Sequence, residues 1–360
     1  MKRAVNTYGF INAKLRAKIG KIRDPQLQDD LLKAGSLVEA IGILKEHGYD
    51  NAAQVYDKTG DLQLVELSLL NEEIEDLMNV QKFLSGPSQE MIKNLLSRIE
   101  AENLKNAIRL WYSSAIHKRP ISFRSAYIVK YKIVNDINYT SIINAITYDN
   151  IIEAVRGTFY ESILNKFSLE QIESDGLFYL ESAIDSKIVE LMYQTTISLS
   201  KDDKAIALKV FKMETDLKNI IMLIRYGWFH QLTSENLSKI LYPYSKVYKD
   251  ETTKMYINSD PKNRNVENLL KEKYNDLANI IVDGSTDSKE RMINQIRNIE
   301  RFLYKKKGQL FENCLGGKPF TIGTALAYFY LREQQYSIIC GILGAKYYKV
   351  DADEIKGLIV

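Results

Sequence analysis

Two cysteines in 360 residues, Cys314 and Cys340, are too few for a disulfide framework. They read as small core hydrophobes in a reducing compartment. Six prolines leave long stretches free to stay helical. There are three histidines, His47, His117 and His230. None has a His, Cys or carboxylate at ligand spacing, so they read as surface or edge residues rather than a metal site. Charge of one sign is also missing, with 49 basic against 46 acidic residues for a net +3. That balance excludes the basic face of a nucleic-acid binder. The densest basic run, YKKKGQ at 304–309, reads as a solvated helix end, with a headgroup or acidic-partner contact as the lesser alternative. No apolar run is long enough to span a bilayer, which needs about 20 residues. FTIGTALAYFYL (320–331) and QQYSIICGILGA (334–345) are separated by Arg332-Glu333 and read as two core helices. The first twenty residues hold no apolar signal core, so export is not expected.

Chemistry-bearing motifs are missing too. GGKPF at 316–320 fails as a phosphate loop, because Glu312 and Pro319 stand where a Gly and a Ser or Thr are required. There is no GxGxxG, GxSxG, HExxH or calcium loop. Asp29-Asp30 and Asp202-Asp203 lack the third Asp of a diphosphate–metal site, and a helix first turn accounts for them better. The expectation is a chain with no catalytic residue, no cofactor, no metal and no small-molecule substrate. A competing all-α enzyme using clustered carboxylates and a metal finds no carboxylate pair at helical ligand spacing.

What is present is helix. Lys, Glu, Leu, Ile and Ala are plentiful. The 23 tyrosines are expected at packing edges, ring inside and hydroxyl wet. Tyr8, Ile11, Leu15 and Ile19 mark a helix over 1–23 that Asp24-Pro25 ends. Residues 243–265 are polar and aperiodic and read as a loop, and VDGSTDSKE (282–290) reads as a turn before a long amphipathic helix to about 313. No β-hairpin signal occurs.

The chain also repeats itself. ENLKNAI (102–108) returns as TDLKNII (215–221), 113 residues on. Leu104, Ala107, Ile108 and Trp111 fall at i, i+3, i+4, i+7, as do Leu217, Ile220, Ile221 and Ile224. Tyr336, Ile339, Cys340 and Leu343 make a third such stripe. Each is one face of a helix pressed on a core. LVEAI (37–41) and IIEAV (151–155) are a second mark, loosely echoed by VENLL (266–270). LTSENLSKIL (232–241) and KVDADEIKGLI (349–359), each following its stripe, are a weaker third. The period is about 115 residues, far longer than the roughly 20–50 of solenoids. The reading is an all-α chain of three tandem, diverged helical repeats, 1–124, 125–242 and 243–360.

Polar residues recur beside the stripes. Glu214 and Glu333 lie three residues before Leu217 and Tyr336. A partly buried carboxylate there is either an internal ion pair, the weightier reading, or faces a shared central cavity. Asn106 and Asn219 lie about 200° round from their Leu, away from the stripe and so outside the core. Arg225 and Arg332 complete a set in which repeats two and three each carry an Arg and a Glu. Asn106, Glu214, Asn219, Arg225, Arg332 and Glu333 are therefore the candidate partner-binding residues.

YGFINAKLRAKI (8–19), the three stripes and above all the block from Gly317 to Val360 resemble the C subunit of V/A-type ATPases, the counterpart of the d subunit of the vacuolar ATPase. The resemblance covers the whole chain and is weakest at 240–290. It implies three similar helical domains in a pseudo-threefold funnel with a central cavity. The implied protein sits on the cytoplasmic face of the membrane, peripherally, without its own active site. Its implied partners are the proteolipid ring and the central-shaft subunits of the soluble head, with one copy per complex and a monomer when isolated. The competing reading is an all-α scaffold that recruits soluble partners in a concave surface.

Overall fold

The computed structural model describes residues 2–271, 273–274 and 289–350. It is 79% helical with no strand among the described residues. Local chemistry sets the helix ends. Helix α1 (Lys2–Ile22) stops before Asp24, whose carboxylate accepts from the Gln26 N–H at 3.0 Å and caps α2 (Pro25–Lys33). Ser36 caps α3 (Leu37–Glu46), and Gly60, at φ 63°, ends α4 (Asp50–Thr59) in the left-handed conformation glycine tolerates. Then come α5 (Leu62–Lys82) and α6 (Gly86–Trp111). The short helices α7 (Tyr139–Ile143), α8 (Tyr148–Ala154), α9 (Phe159–Leu164) and α10 (Leu169–Asp175) follow, α8 and α10 opened by capping boxes. Two long helices, α11 (Phe178–Ser198) and α12 (Lys201–Met222), come next.

Three expectations need correction. Residues 243–265 are not a loop. They hold helices Lys246–Lys249 and Glu251–Asn258 and a 3-10 turn at Pro261–Asn263. The buried Arg264 guanidinium holds them together, donating to the carbonyls of Gly227, Leu232, Tyr256 and Ile257 at 2.6–3.2 Å. One cation thus takes the place of an apolar stripe, and periodicity cannot register it. Second, the two final helices are one, Gly323–Tyr347, called here the closing helix; Arg332-Glu333 continues it, both residues being good helix formers. Third, several tyrosines are wholly inside: Tyr139, Tyr160, Tyr242 and Tyr328. The long helix expected after 290 runs Lys289–Gly316. Most of the turn at 282–290 and of the echo at 349–359 lies outside the described residues.

Contacts divide the chain into two compact units. One holds the residues up to Ile188 together with those from Pro319 on, and the other is Val189–Lys318. In the first, α6 buries Leu104, Ala107, Ile108 and Trp111, and the Trp111 indole donates to Ala145 O at 3.1 Å. A separate core forms from Leu27, Leu31, Leu44, Ala52 and Val65 with Ile339, Ile342 and Leu343 of the closing helix. The third stripe therefore packs on the helices at the start of the chain. Lys346 Nζ also donates to Leu32 O at 2.8 Å and Ala34 O at 2.5 Å, and Gln335 Nε2 to Ile22 O at 3.2 Å. Each buried aliphatic there contributes about 1.5–3 kcal/mol. In the second unit, Ala207, Val210, Phe211, Leu217 and Ile220 of α12 are buried, as are Ile299, Leu303 and Leu310 of the helix Lys289–Gly316 that packs on it.

Candidate partner-binding residues

Helices α6 and α12 end alike. Each runs into a π-helical turn, Tyr112–Ile116 and Leu223–Phe229. Each turn closes with a histidine N–H reaching five residues back, His117 to Tyr112 O at 3.2 Å and His230 to Arg225 O at 2.9 Å. The next residue is left-handed in both, Lys118 at φ 54° and Gln231 at φ 52°. These ends stand 113 positions apart, the spacing of the repeated LKN. Gly227 lies inside the second turn, and a Cβ there would come within 3.0 Å of the Tyr256 ring.

Asn219 is fully buried, which corrects its expected place outside the core. Its amide donates to Tyr242 O at 2.9 Å and Ser245 Oγ at 2.7 Å, and its carbonyl accepts from Tyr242 N at 2.9 Å. The reason is local: the backbone after the π turn passes over that side of the helix and needs both groups satisfied. Asn106 does not do this in the first unit. It is exposed and accepts from Arg109 Nη1 at 2.8 Å. Asn103, one turn earlier, holds Val129 N and O at 2.9 Å each. An acid three residues before each asparagine grips the same segment further on. Glu100 accepts from the backbone N–H groups of Val134 and Asn135 at 2.7 and 2.6 Å, and Asp216 from that of Val247 at 3.1 Å. The separations are 26 and 34 residues in the first clasp, 23 and 31 in the second. The same clasp has slid by one helical turn.

The cation six positions after each clasping asparagine meets a carboxylate on a long helix. Arg109 is bidentate with Glu181 of α11 at 2.7 and 2.5 Å, and Arg225 Nε meets Glu300 at 2.6 Å. At the start of the chain, Asn12 donates to Thr321 O at 3.3 Å, and Lys18 pairs with Asp76 of α5. In all three pairs the acid is the more buried partner. The contact with Glu181, and in the other unit that with Glu300, raises the pKa of Arg109 and Arg225 further.

The remaining candidates divide by burial. Glu214 and Lys307 form a largely buried ion pair at 3.0 Å, the weightier of the two readings. Glu333 is nearly half exposed and lies 3.8 Å from Arg98, whose guanidinium stacks over Phe329. Arg332 donates to Gln335 Oε1 at 3.1 Å. Asn106, Arg332 and Glu333 thus belong to one unit and Glu214, Asn219 and Arg225 to the other. Asn219 presents no surface, and Glu214 is mostly covered. Asn103, Arg109 and Lys18 were missed, and the signal that could have found them is an Asn six residues before a Lys or Arg on an apolar helix.

Cys314 and Cys340 are free and partly buried, and burial pushes the Cys340 thiol up to about 12, so both stay protonated. Among the described residues no group of three or more His, Cys, Asp or Glu could hold a metal ion, and no helix is long and apolar enough to cross a membrane.

The family model described as ATP synthase (C/AC39) subunit matches residues 11–358. The A-type ATP synthase C subunit of Methanocaldococcus jannaschii is 20% identical over 361 residues, covering 98% of this chain and 86% of the relative. The proteins of the same name from Methanosphaera stadtmanae and Methanothermobacter thermautotrophicus are 22% and 19% identical, each covering 91% of this chain and 80% of the relative.

Proposed function

The chain belongs to the ATP synthase (C/AC39) subunit family, and from that premise we propose that it is the adaptor in the central stalk of a V/A-type rotary ATPase. It sits on the cytoplasmic face of the membrane proteolipid ring, as a peripheral subunit, and holds the foot of the central shaft. Torque then passes between ATP turnover in the soluble head and ion transport in the membrane. The observation that carries this reading is that the family match takes in nearly the whole chain, residues 11–358. A torque-bearing part must resist bending, and long helices with packed cores do so. The ion pairs from Lys18, Arg109 and Arg225 to long helices act in the same direction.

Three repeats, 1–124, 125–242 and 243–360, belong to the proposal. The clasps support the first two; the Asn12–Lys18 pair has the same spacing but lies in the first repeat. The stripe at 336–343, third in sequence, packs on the short helices at the start of the chain.

The test is copurification. A tagged chain should come out of membranes in one copy with shaft subunits and proteolipids. Recovery with soluble partners alone would support a scaffold instead. At finer grain, the surface role falls to Asn106, Arg225, Arg332 and Glu333. Arg225→Ala and Glu333→Ala should each weaken shaft binding by about 2–5 kcal/mol where the contact is desolvated. Their half-exposed internal ion pairs should cost under about 1 kcal/mol of stability. Binding by isothermal titration and melting of the same preparations decide it. Variants that melt early and bind normally once folded would make both pairs structural.

A further inference from the structure

Glu73 lies on α5 beneath the closing helix, 5% exposed. Beside it is a cavity of ≈ 10 Å³ lined by Tyr49, Leu69, Arg332, Gln335 and Tyr336, with room for about one water. A charge there cannot be hydrated as in solution.

The groups facing it come from every element of the seam. The closing helix brings Arg332 and Glu333, and also Tyr328, Tyr336 and the Cys340 thiol, all three of which the Glu73 charge holds further up. Helix α6 brings Arg98. On α5 itself Asp76 is tied to Lys18 of α1 and to the Tyr328 hydroxyl at 2.5 Å. Glu66 and Glu72 lie on the same helix, each raised chiefly by burial. Two arginines thus stand against several carboxylates at a place where the first and last helices of the described chain meet.

We propose that Glu73 is a proton-operated latch: the closing helix docks tightly on α5 while this carboxyl is neutral and loosens when it ionises. Burial pushes the group up to about 7, Glu333 and Asp76 add to the rise, and Arg332 and Arg98 oppose it without cancelling it. The sign follows from linkage. Below about 4.5, the ordinary value, folded and open states both hold the proton and the seam keeps its full stability. Above that the open state loses its proton while the closed state retains it, and the advantage drains away until pH passes about 7. The window therefore lies between these values, with its upper end at neutrality. This is independent of what the chain binds.

The test is hydrogen exchange of the full chain, corrected for intrinsic rates, read on amides of 323–347. Between pH 5 and pH 8 protection in the wild type should fall by on the order of a hundredfold. In Glu73→Gln, the neutral isostere, it should stay within about threefold. An equal fall in the variant overturns the latch. So does a side-chain carboxyl carbon shift of wild-type Glu73 that titrates near the ordinary value, a measurement that needs no variant.

Discussion

Asn219→Ala is expected to lower the unfolding free energy by about 3–5 kcal/mol. The amide makes three hydrogen bonds, two of them to the backbone of Tyr242, a residue itself buried. Alanine leaves a buried N–H and a buried C=O without that partner, each at about 1–3 kcal/mol, and adds a small void. Asn106→Ala, at the matching place in the repeated heptad, should cost under about 0.5 kcal/mol, because Asn106 is exposed and its bond is to an exposed arginine, Arg109. Asn103→Ala should resemble Asn219→Ala. Urea unfolding of the three variants is sufficient. A cheap Asn219→Ala, or an Asn106→Ala as costly as it, would mean that the clasp does not hold these segments.

Ile342→Asp should be more damaging still, by more than about 4 kcal/mol. Ile342 is fully buried in the core shared with Leu27, Leu31, Leu44 and Val65, and an aspartate there would put a charge among aliphatic side chains and leave a void. The damage should appear far away in sequence. Hydrogen exchange in residues 27–69 should rise as much as in the closing helix, while α12 in the other unit keeps its protection. Exchange rising in 323–347 alone would show that the first short helices hold together without it.

The helices at 1–22, 201–222 and 289–316 were legible because apolar spacing or a capping Ser or Asp marks them. The all-α class followed from the same signals. The clasp was half legible. LKN pointed to the right pair of helices but to the wrong asparagine in the first, because which Asn is buried depends on where the following backbone crosses the helix. That crossing is set by residues 23–26 positions away. Arg264 was invisible for a related reason: a lone arginine in a polar stretch carries no sign that four carbonyls surround it. The stripe at 336–343 was read correctly as a core face, yet a stripe does not name the surface it covers, and its partners lie some three hundred residues earlier. Glu73 stands in an acidic run, Glu72 to Asp76 broken only by Ile74, a pattern shared by many exposed glutamates, and only the closing helix laid over it makes it special.

That distance between the closing helix and the residues it covers has a consequence for biogenesis. Ribosomes add roughly 5–20 residues per second, so Leu27 and Leu31 leave the exit tunnel many seconds before Ile339 and Leu343 exist. During that interval the first short helices carry an apolar face with nothing to cover it, and contacts separated by 313 or 314 residues are the slowest kind to form. A nascent chain of this protein should therefore be a sustained client of chaperones that bind exposed aliphatic segments near its start, and release should coincide with the arrival of residues 323–347.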